Sequence, residues 1–197
     1  MEIQAGTPVG DIAAASAAAA ADWTAAALKD LIHCIVTKHH EYPKLELPRV
    51  GQRVRTVAQV HGAKDATTLQ ALEAAYEELW QELDLHMHKE EMMLFPAIQR
   101  SEAATQGGMP VPPPPFGSIR NPIAVMEREH DSAGDALGRI RELTHGFEAP
   151  SYACSTYRAM LEGLQALETD LHTHIHLEND ILFPRAIALE ERALRNK

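Results

Sequence analysis

Apolar residues recur every three or four positions along most of the chain after residue 24, which is the spacing of one face of an α-helix. Turn-forming residues interrupt the pattern at 62–65, in the glycine- and proline-rich stretch 107–117, and at 146–150. No useful length alternates polar residues with β-branched or aromatic ones, as strands would require. The pattern therefore predicts an all-α protein with four long helices.

Each predicted helix carries an apolar stripe that is interrupted by one histidine, and two of the stripes also contain a glutamate. The four stripes are Val36, His40, Leu47, Val50, Val54 and Val57; Leu72, Tyr76, Leu79, Leu83, His86, Glu90 and Met93; Ile123, Met126, His130, Ala133, Leu137 and Ile140; and Met160, Leu164, Leu167, Leu171, His174, Glu178 and Ile181. Each helix is thus expected to point one histidine inward.

The second and fourth helices contain a repeated segment, HMHKEEMMLFP at 86–96 and HIHLENDILFP at 174–184. The repeat selects the helix register. His176 and Asp180 have the same spacing as His174 and Glu178, but His88, the counterpart of His176, is followed four residues later by Met92. The repeat therefore favours His86 with Glu90 and His174 with Glu178, and it places Glu91 and Asp180 off the stripe.

The histidine positions predict an antiparallel arrangement, because residues on antiparallel neighbours lie level when a turn falls midway between them. The midpoint of His40 and His86 is residue 63, and that of His130 and His174 is residue 152. Both midpoints lie on or beside a turn signal. The sequence thus predicts an antiparallel up-down four-helix bundle with an internal two-fold helix-hairpin repeat.

The inward polar residues predict a metal site. A single histidine on an apolar face is usually a satisfied core residue, but a buried carboxylate is normally paired or bound to a metal. Imidazole and carboxylate ligands without thiolate suit iron, manganese or zinc, and bundle-core sites of this kind are typically di-iron. The predicted ligands of two metal ions, named the polar cluster below, are His40, His86, Glu90, His130, His174 and Glu178.

Composition narrows the function classes. The 18 basic and 28 acidic residues give a net charge of -10, which argues against nucleic acid and anionic membranes as partners. Cys34 and Cys154 are the only cysteines, which favours a reducing compartment and hence the cytoplasm. No basic residue precedes Lys29, and no uncharged apolar stretch reaches 18 residues, so neither an export signal nor a membrane span is expected. The predicted organisation is an Ala-rich tail at 1–23, a domain at 24–190 and a tail at 191–197.

Several segments resemble blocks of the hemerythrin-like di-iron proteins, and within them the RIC family (repair of iron centres). They are KHHEY around His40, ELPRV at 46–50, VMEREHDSAG around His130, YACSTYRAM around Cys154 and the two repeated segments, and the similarity extends over roughly residues 25–190. It implies that the four histidines of the polar cluster are iron ligands and that Glu90 and Glu178 are carboxylate bridges. It also implies an oxo- or hydroxo-bridged iron pair that meets nitric oxide, dioxygen or peroxide. The implied role is the repair of damaged iron-sulfur proteins under nitrosative or oxidative stress.

RIC proteins commonly begin with a small domain that bears adjacent cysteines, whereas this sequence has no cysteine before Cys34. We therefore expect that domain to be missing. The alternative function is a dioxygen carrier or sensor of the hemerythrin type, which usually presents five histidines rather than four. A metal-storage or structural bundle is a third reading. The sequence leaves open whether the protein is an enzyme and whether His61 or Cys154 has a role.

Overall fold

The computed structural model describes residues 23–111 and 114–195, and these residues form four long helices, α1 to α4. α1 comprises Leu28–Cys34, Ile35–His40 and the first part of Glu41–Lys89, and non-helical backbone at Asp65 (φ -154°, ψ 64°) separates it from α2. α2 continues through Glu90–Leu94 and Phe95–Gln106. α3 is Arg120–Leu143, and α4 comprises Ser155–His176, Leu177–Leu182 and Phe183–Arg195. The described residues contain no strand, so the predicted all-α class is confirmed.

Side-chain contacts between the helices establish their directions, because partners on neighbouring helices run in opposite order along the chain. The pairs are Arg55–Glu77 and His40–Glu91 between α1 and α2, Glu78–Arg139 and His86–Glu129 between α2 and α3, Arg141–Glu168 and His130–Asn179 between α3 and α4, and His39–Asp170 and Arg53–Ala159 between α1 and α4. Each helix is thus antiparallel to both neighbours, in an up-down-up-down bundle. The turns lie where the sequence predicts them. The first hairpin bends at Asp65, and residues 144–154 connect α3 to α4.

The core consists of two apolar clusters with the polar residues between them. One lies toward the two hairpin bends and includes Leu47, Leu83 and Leu171. The other lies toward the opposite end and includes Ile35 and Leu182. Along α1 and α4, His40 and His174 fall between these clusters, so the polar cluster is enclosed by apolar packing at both ends.

Three residues of the predicted stripes are not buried in the core as the sequence predicts. Met93 is 51 % exposed, and Val36 and Ile181 are only half-buried. Their neighbours occupy the core instead: Ile35, Leu94 and Leu182 are buried. The remaining stripe positions are all buried.

The shift is explained by π-helical turns at Ile35–His40, Glu90–Leu94 and Leu177–Leu182. A π turn inserts one extra residue, which rotates the following residues by about 100° relative to an α-helix. Proline has no N–H and its ring clashes with the carbonyl four residues earlier. Pro43, Pro96 and Pro184 each lie four residues after a member of such a turn. Each π turn thus lies next to a proline that cannot make the hydrogen bond of an α-helix.

None of the described helices combines the length and apolar composition that crossing a membrane requires. The predicted N-terminal segment 1–23 lies outside the described residues except for Trp23, which packs against the apolar cluster that contains Ile35. Arg185 donates hydrogen bonds to the backbone carbonyls of Trp23 and Ala26, so α4 anchors the start of α1.

Candidate metal centre

The structure brings the six residues of the polar cluster together inside the bundle. α1 provides one histidine, α3 provides one histidine, and α2 and α4 each provide one histidine and one glutamate. Glu90, Glu178 and His40 are completely buried, and the other three histidines are nearly so. Polar side chains this deep need partners of opposite charge.

The ligand atoms form two adjacent groups that share both carboxylates. His40, His174, Glu90 and Glu178 form one group, and His86, His130, Glu90 and Glu178 form the other, with the atoms of each group within 4.8 Å of one another. His174 Nε2 lies 3.0 Å from one oxygen of Glu178, and His130 Nε2 lies 3.1 Å from its other oxygen. Each group could hold a metal ion, and each glutamate faces both groups.

The carboxylates are incompletely satisfied by the protein. None of the four oxygens of Glu90 and Glu178 has a hydrogen-bond partner among the described residues, although imidazole nitrogens lie close by. A buried carboxylate that lacks hydrogen bonds is costly, by several kcal/mol per ion. The donor set therefore fits cations between the two glutamates.

The pKa values of the histidines show how strongly the two buried carboxylates attract positive charge. Burial by itself lowers the pKa of His40, but the carboxylates of Glu178 and Glu90 outweigh it and raise the pKa to about 10. For His86, burial is likewise outweighed by Glu90 and Glu178, and the pKa rises to about 9. Burial raises the pKa of Glu178, but His174, His130 and His40 overcome it and hold the pKa well below its usual range. Two imidazolium ions thus neutralise two carboxylates at neutral pH.

Acceptors on neighbouring helices orient three of the four imidazoles. Nδ1 of His40 donates to Glu91 (2.8 Å), and Nδ1 of His86 donates to Glu129 (3.0 Å). Nδ1 of His130 donates to Asn179 (2.8 Å). An imidazole that keeps its proton on Nδ1 can present the lone pair of Nε2 to a metal, so these hydrogen bonds favour the tautomer that metal binding requires.

These acceptors were missed at the level of sequence. Glu91 lies off the stripe as predicted, but it accepts hydrogen bonds from His40 and from Lys44, the latter at 2.8 Å. Glu91, Glu129 and Asn179 are each the immediate neighbour of a residue of the polar cluster. Consecutive helical residues point about 100° apart, so a polar neighbour is placed to reach a flanking helix. This adjacency is the signal that could have identified them.

The repeated phenylalanines pack on the imidazoles. Phe95 stacks on His40 with ring centroids 5.6 Å apart, and Phe183 stacks on His130 at 6.1 Å with the planes 5° apart. Both rings are buried and close the apolar side of the centre.

The competing histidines lie elsewhere. His176 and Asp180 pair with each other on the surface, with side chains 61 % and 67 % exposed, so this register does not reach the core. His88 is also exposed. His61 lies near the hairpin bends, where its Nε2 is 3.3 Å from Cys154 Sγ.

Comparisons with known proteins agree with this geometry. The sequence profile of the family described as Hemerythrin HHE cation binding domain matches residues 30–186. The iron-sulfur cluster repair protein YtfE of Yersinia pestis (strain Pestoides F) is 39 % identical over 166 residues, which cover 84 % of this chain and 69 % of that protein. The protein of the same name from Yersinia pseudotuberculosis serotype O:3 (strain YPIII) has the same identity and coverage.

Proposed function

This chain belongs to the hemerythrin HHE cation-binding family, and on that premise we propose that it binds a pair of iron ions and acts in the repair of iron-sulfur clusters. The observation that carries the proposal is the pair of fully buried glutamates, which are shared by two groups of ligand atoms and whose oxygens accept no hydrogen bond from the described part of the chain. The proposed ligands are the six residues of the polar cluster.

His40 and His174 would hold one iron, His86 and His130 the other, and Glu90 and Glu178 would bridge them. Imidazole and carboxylate without thiolate suit iron in the core of a helical bundle. The proposed pair includes an oxo- or hydroxo-bridge. When bound, it supplies redox chemistry and open coordination positions for nitric oxide, dioxygen or peroxide.

The chain's own residues prepare the centre for that role. Glu91, Glu129 and Asn179 hold the imidazole rings so that Nε2 faces inward, which stabilises the ligand geometry before a cation arrives. Phe95 and Phe183 exclude water from the apolar side.

Repair is favoured over dioxygen carriage by two observations. The polar cluster contains four histidines rather than the five that are usual in dioxygen-carrying hemerythrins, so more coordination positions stay exchangeable. The similar Yersinia proteins are named as iron-sulfur cluster repair proteins. The proposed partners are therefore damaged iron-sulfur proteins. The proposed location is the cytoplasm, whose reducing conditions suit the free thiols of Cys34 and Cys154.

The test begins with metal analysis of protein purified from iron-supplemented cells, with two irons per chain expected from the two groups of ligand atoms. The reduced protein is then exposed separately to dioxygen and to nitric oxide, and it is also incubated with an iron-sulfur enzyme inactivated by nitric oxide. We expect nitrosyl formation or oxidation with iron loss, and recovery of the damaged enzyme. The matched control is His40→Ala, which removes one ligand and should abolish recovery. Stable oxygenation without recovery would instead assign the protein to dioxygen carriage.

A further inference from the structure

One imidazole of the polar cluster differs from the other three. His40, His86 and His130 each donate from Nδ1 to an acceptor on another helix. Nδ1 of His174 is buried and has no hydrogen-bond partner among the residues that the structure describes, although its Nε2 faces Glu178 at 3.0 Å as the others face their carboxylates. A buried donor of this kind normally finds an acceptor.

Asp170 offers that acceptor. It lies one helical turn before His174 on α4, and residues four apart share a helix face. Its Oδ1 accepts a hydrogen bond from Nδ1 of His39 at 2.8 Å, whereas its Oδ2 is buried and has no hydrogen-bond partner within 23–111 and 114–195. Two complementary buried groups, a ring nitrogen and a carboxylate oxygen, are therefore left over on the same face of one helix.

The ring of His39 connects the two groups further. It stacks on His174, with ring centroids 6.4 Å apart and planes 18° apart. Asp170 thus already holds a ring that lies against His174. The two groups make no hydrogen bond within the described part of the chain, so their pairing requires the Asp170 side chain to turn toward Nδ1.

We infer that Asp170 is the positioning residue for His174: its Oδ2 accepts the proton on Nδ1 of His174 while its Oδ1 holds His39. Asp170 then orients the imidazole of His174 as Glu91, Glu129 and Asn179 orient the other three imidazoles. The Nε2 lone pair of His174 is thereby directed at the shared site. The inference rests on the proposed metal centre, because the tautomer matters most for a residue that binds a cation.

Two variants separate the hydrogen bond from simple packing. Asp170→Leu keeps the branched shape of the side chain but removes both oxygens, whereas Asp170→Asn keeps the size and one acceptor oxygen. The matched control is Asp180→Leu, which removes another aspartate of α4 that pairs with a histidine, but on the surface. Circular dichroism checks that all three variants retain the helical content of the unaltered protein.

Two measurements are made on each protein: anaerobic titration with iron(II) against a competing chelator, and the imidazole proton-nitrogen spectrum of the metal-free protein. We expect Asp170→Leu to lower iron affinity about 10- to 100-fold, as loss of a partner of a ligand histidine typically does. We also expect it to remove the Nδ1–H signal of His174. Asp170→Asn has one acceptor oxygen for two histidines, so it should fall between the unaltered protein and Asp170→Leu in both measurements. Asp180→Leu should match the unaltered protein.

The inference is overturned if Asp170→Leu matches the unaltered protein in both measurements. It is also overturned if His174 carries no proton on Nδ1 in the unaltered metal-free protein. If the proposed function is wrong, the unaltered protein itself binds no iron. The spectrum of the metal-free protein then tests the role of Asp170 by itself.

Discussion

Glu90 and Glu178 are buried charges whose ionisation depends on the groups around them. Burial and the charge of Glu178 both raise the pKa of Glu90, yet His86 and His40 offset them and the pKa is lowered overall. Both carboxylates are therefore ionised inside an apolar core, and they need positive charge from imidazolium ions or from metal. Because each glutamate faces both groups of ligand atoms, each is expected to matter to both ions.

Replacing either bridging glutamate should therefore remove more than one bond to metal. In Glu90→Ala or Glu178→Ala, two like-charged ions would face each other with less negative charge between them, which is unfavourable at low dielectric. We expect about one iron or fewer per chain, measured by metal analysis after purification. Asp180→Ala is the control and should keep both irons, because Asp180 is exposed. Glu91→Ala is unsuitable as a control, because Glu91 orients His40.

If Asp180→Ala lost metal while Glu178→Ala retained two irons, the assignment of Glu178 to the centre would be wrong.

Cys154 is a second residue with perturbed chemistry, near the hairpin bends. The hydrogen bond from His61 lowers the pKa of its exposed thiol to about 7, with help from the backbone N–H groups of Tyr157 and Thr156. Since thiolate is the nucleophile, alkylation by iodoacetamide should rise with pH and reach half its maximal rate near pH 7. His61→Ala should move this midpoint toward the ordinary thiol range, in a Cys34→Ser background that leaves one reactive thiol.

The same His61→Ala variant should retain its iron, because His61 contacts Cys154 rather than the polar cluster. A midpoint that does not move would show that His61 does not set the pKa of the thiol.

At the scale of elements, the π turns decide which residues face the core next to the centre. They occur where α1, α2 and α4 provide their part of the polar cluster, and they include His40, Glu90 and Glu178 themselves. Single π turns inside α-helices are frequent at functional sites, because they change where side chains point without ending the helix. Here they turn Leu94 and Leu182 into the core in place of Met93 and Ile181.

The paired substitutions Leu94→Ala and Met93→Ala test this register. Leu94→Ala should lower the free energy of unfolding by about 2 to 5 kcal/mol, as expected for a fully buried leucine. Met93→Ala should change it by no more than about 0.5 kcal/mol, because Met93 is largely exposed. Denaturant unfolding of the metal-free proteins measures both. Equal losses, or a larger loss from Met93→Ala, would indicate an uninterrupted α-helix through this segment.

For the whole molecule, the polar cluster separates two apolar parts of the core. The stability of the bundle should therefore depend on the binding of a cation. The clusters on either side contain the large buried side chains, while the centre between them contains the buried charges. A cation that binds only the folded protein stabilises it by mass action.

Removal of iron should therefore lower the melting temperature. With free metal at 100 times its dissociation constant the stabilisation is about 2.7 kcal/mol. For a chain of this size that corresponds to a shift of roughly 5 to 10 °C. Thermal melts before and after chelation, followed by reloading, measure it. Equal melting temperatures would argue against a buried metal site.

The pH dependence of the metal-free protein provides a separate test. His40 and His86 have folded-state pKa values of about 10 and 9, above the ordinary value of 6.5. Protonation of these groups thus stabilises the fold fully below about pH 6.5, and that stability is lost as pH rises through 9 and 10. We expect the melting temperature of the metal-free protein to fall between pH 7 and pH 10, and that of the iron-loaded protein to change less.

A metal-free melting temperature that rises over this range would contradict the charge balance described here.

The sequence by itself was sufficient for the helix class, the antiparallel order and the inward placement of the six residues of the polar cluster. Helical periodicity assigns a side chain to a face, and a glutamate within an apolar stripe is rare enough to indicate a partner. The repeat at 86–96 and 174–184 selected the register that places Glu178, rather than Asp180, in the core.

The tertiary structure alone decided the rest. The partners of His40, His86 and His130 lie 51, 43 and 49 residues away along the chain, so no local pattern connects them. The exchange of Met93 for Leu94 in the core follows from a π turn, and a periodicity argument that assumes 3.6 residues per turn cannot anticipate it. Face and spacing are properties of one helix, whereas orientation of an imidazole and placement of an extra residue depend on what the neighbouring helices offer.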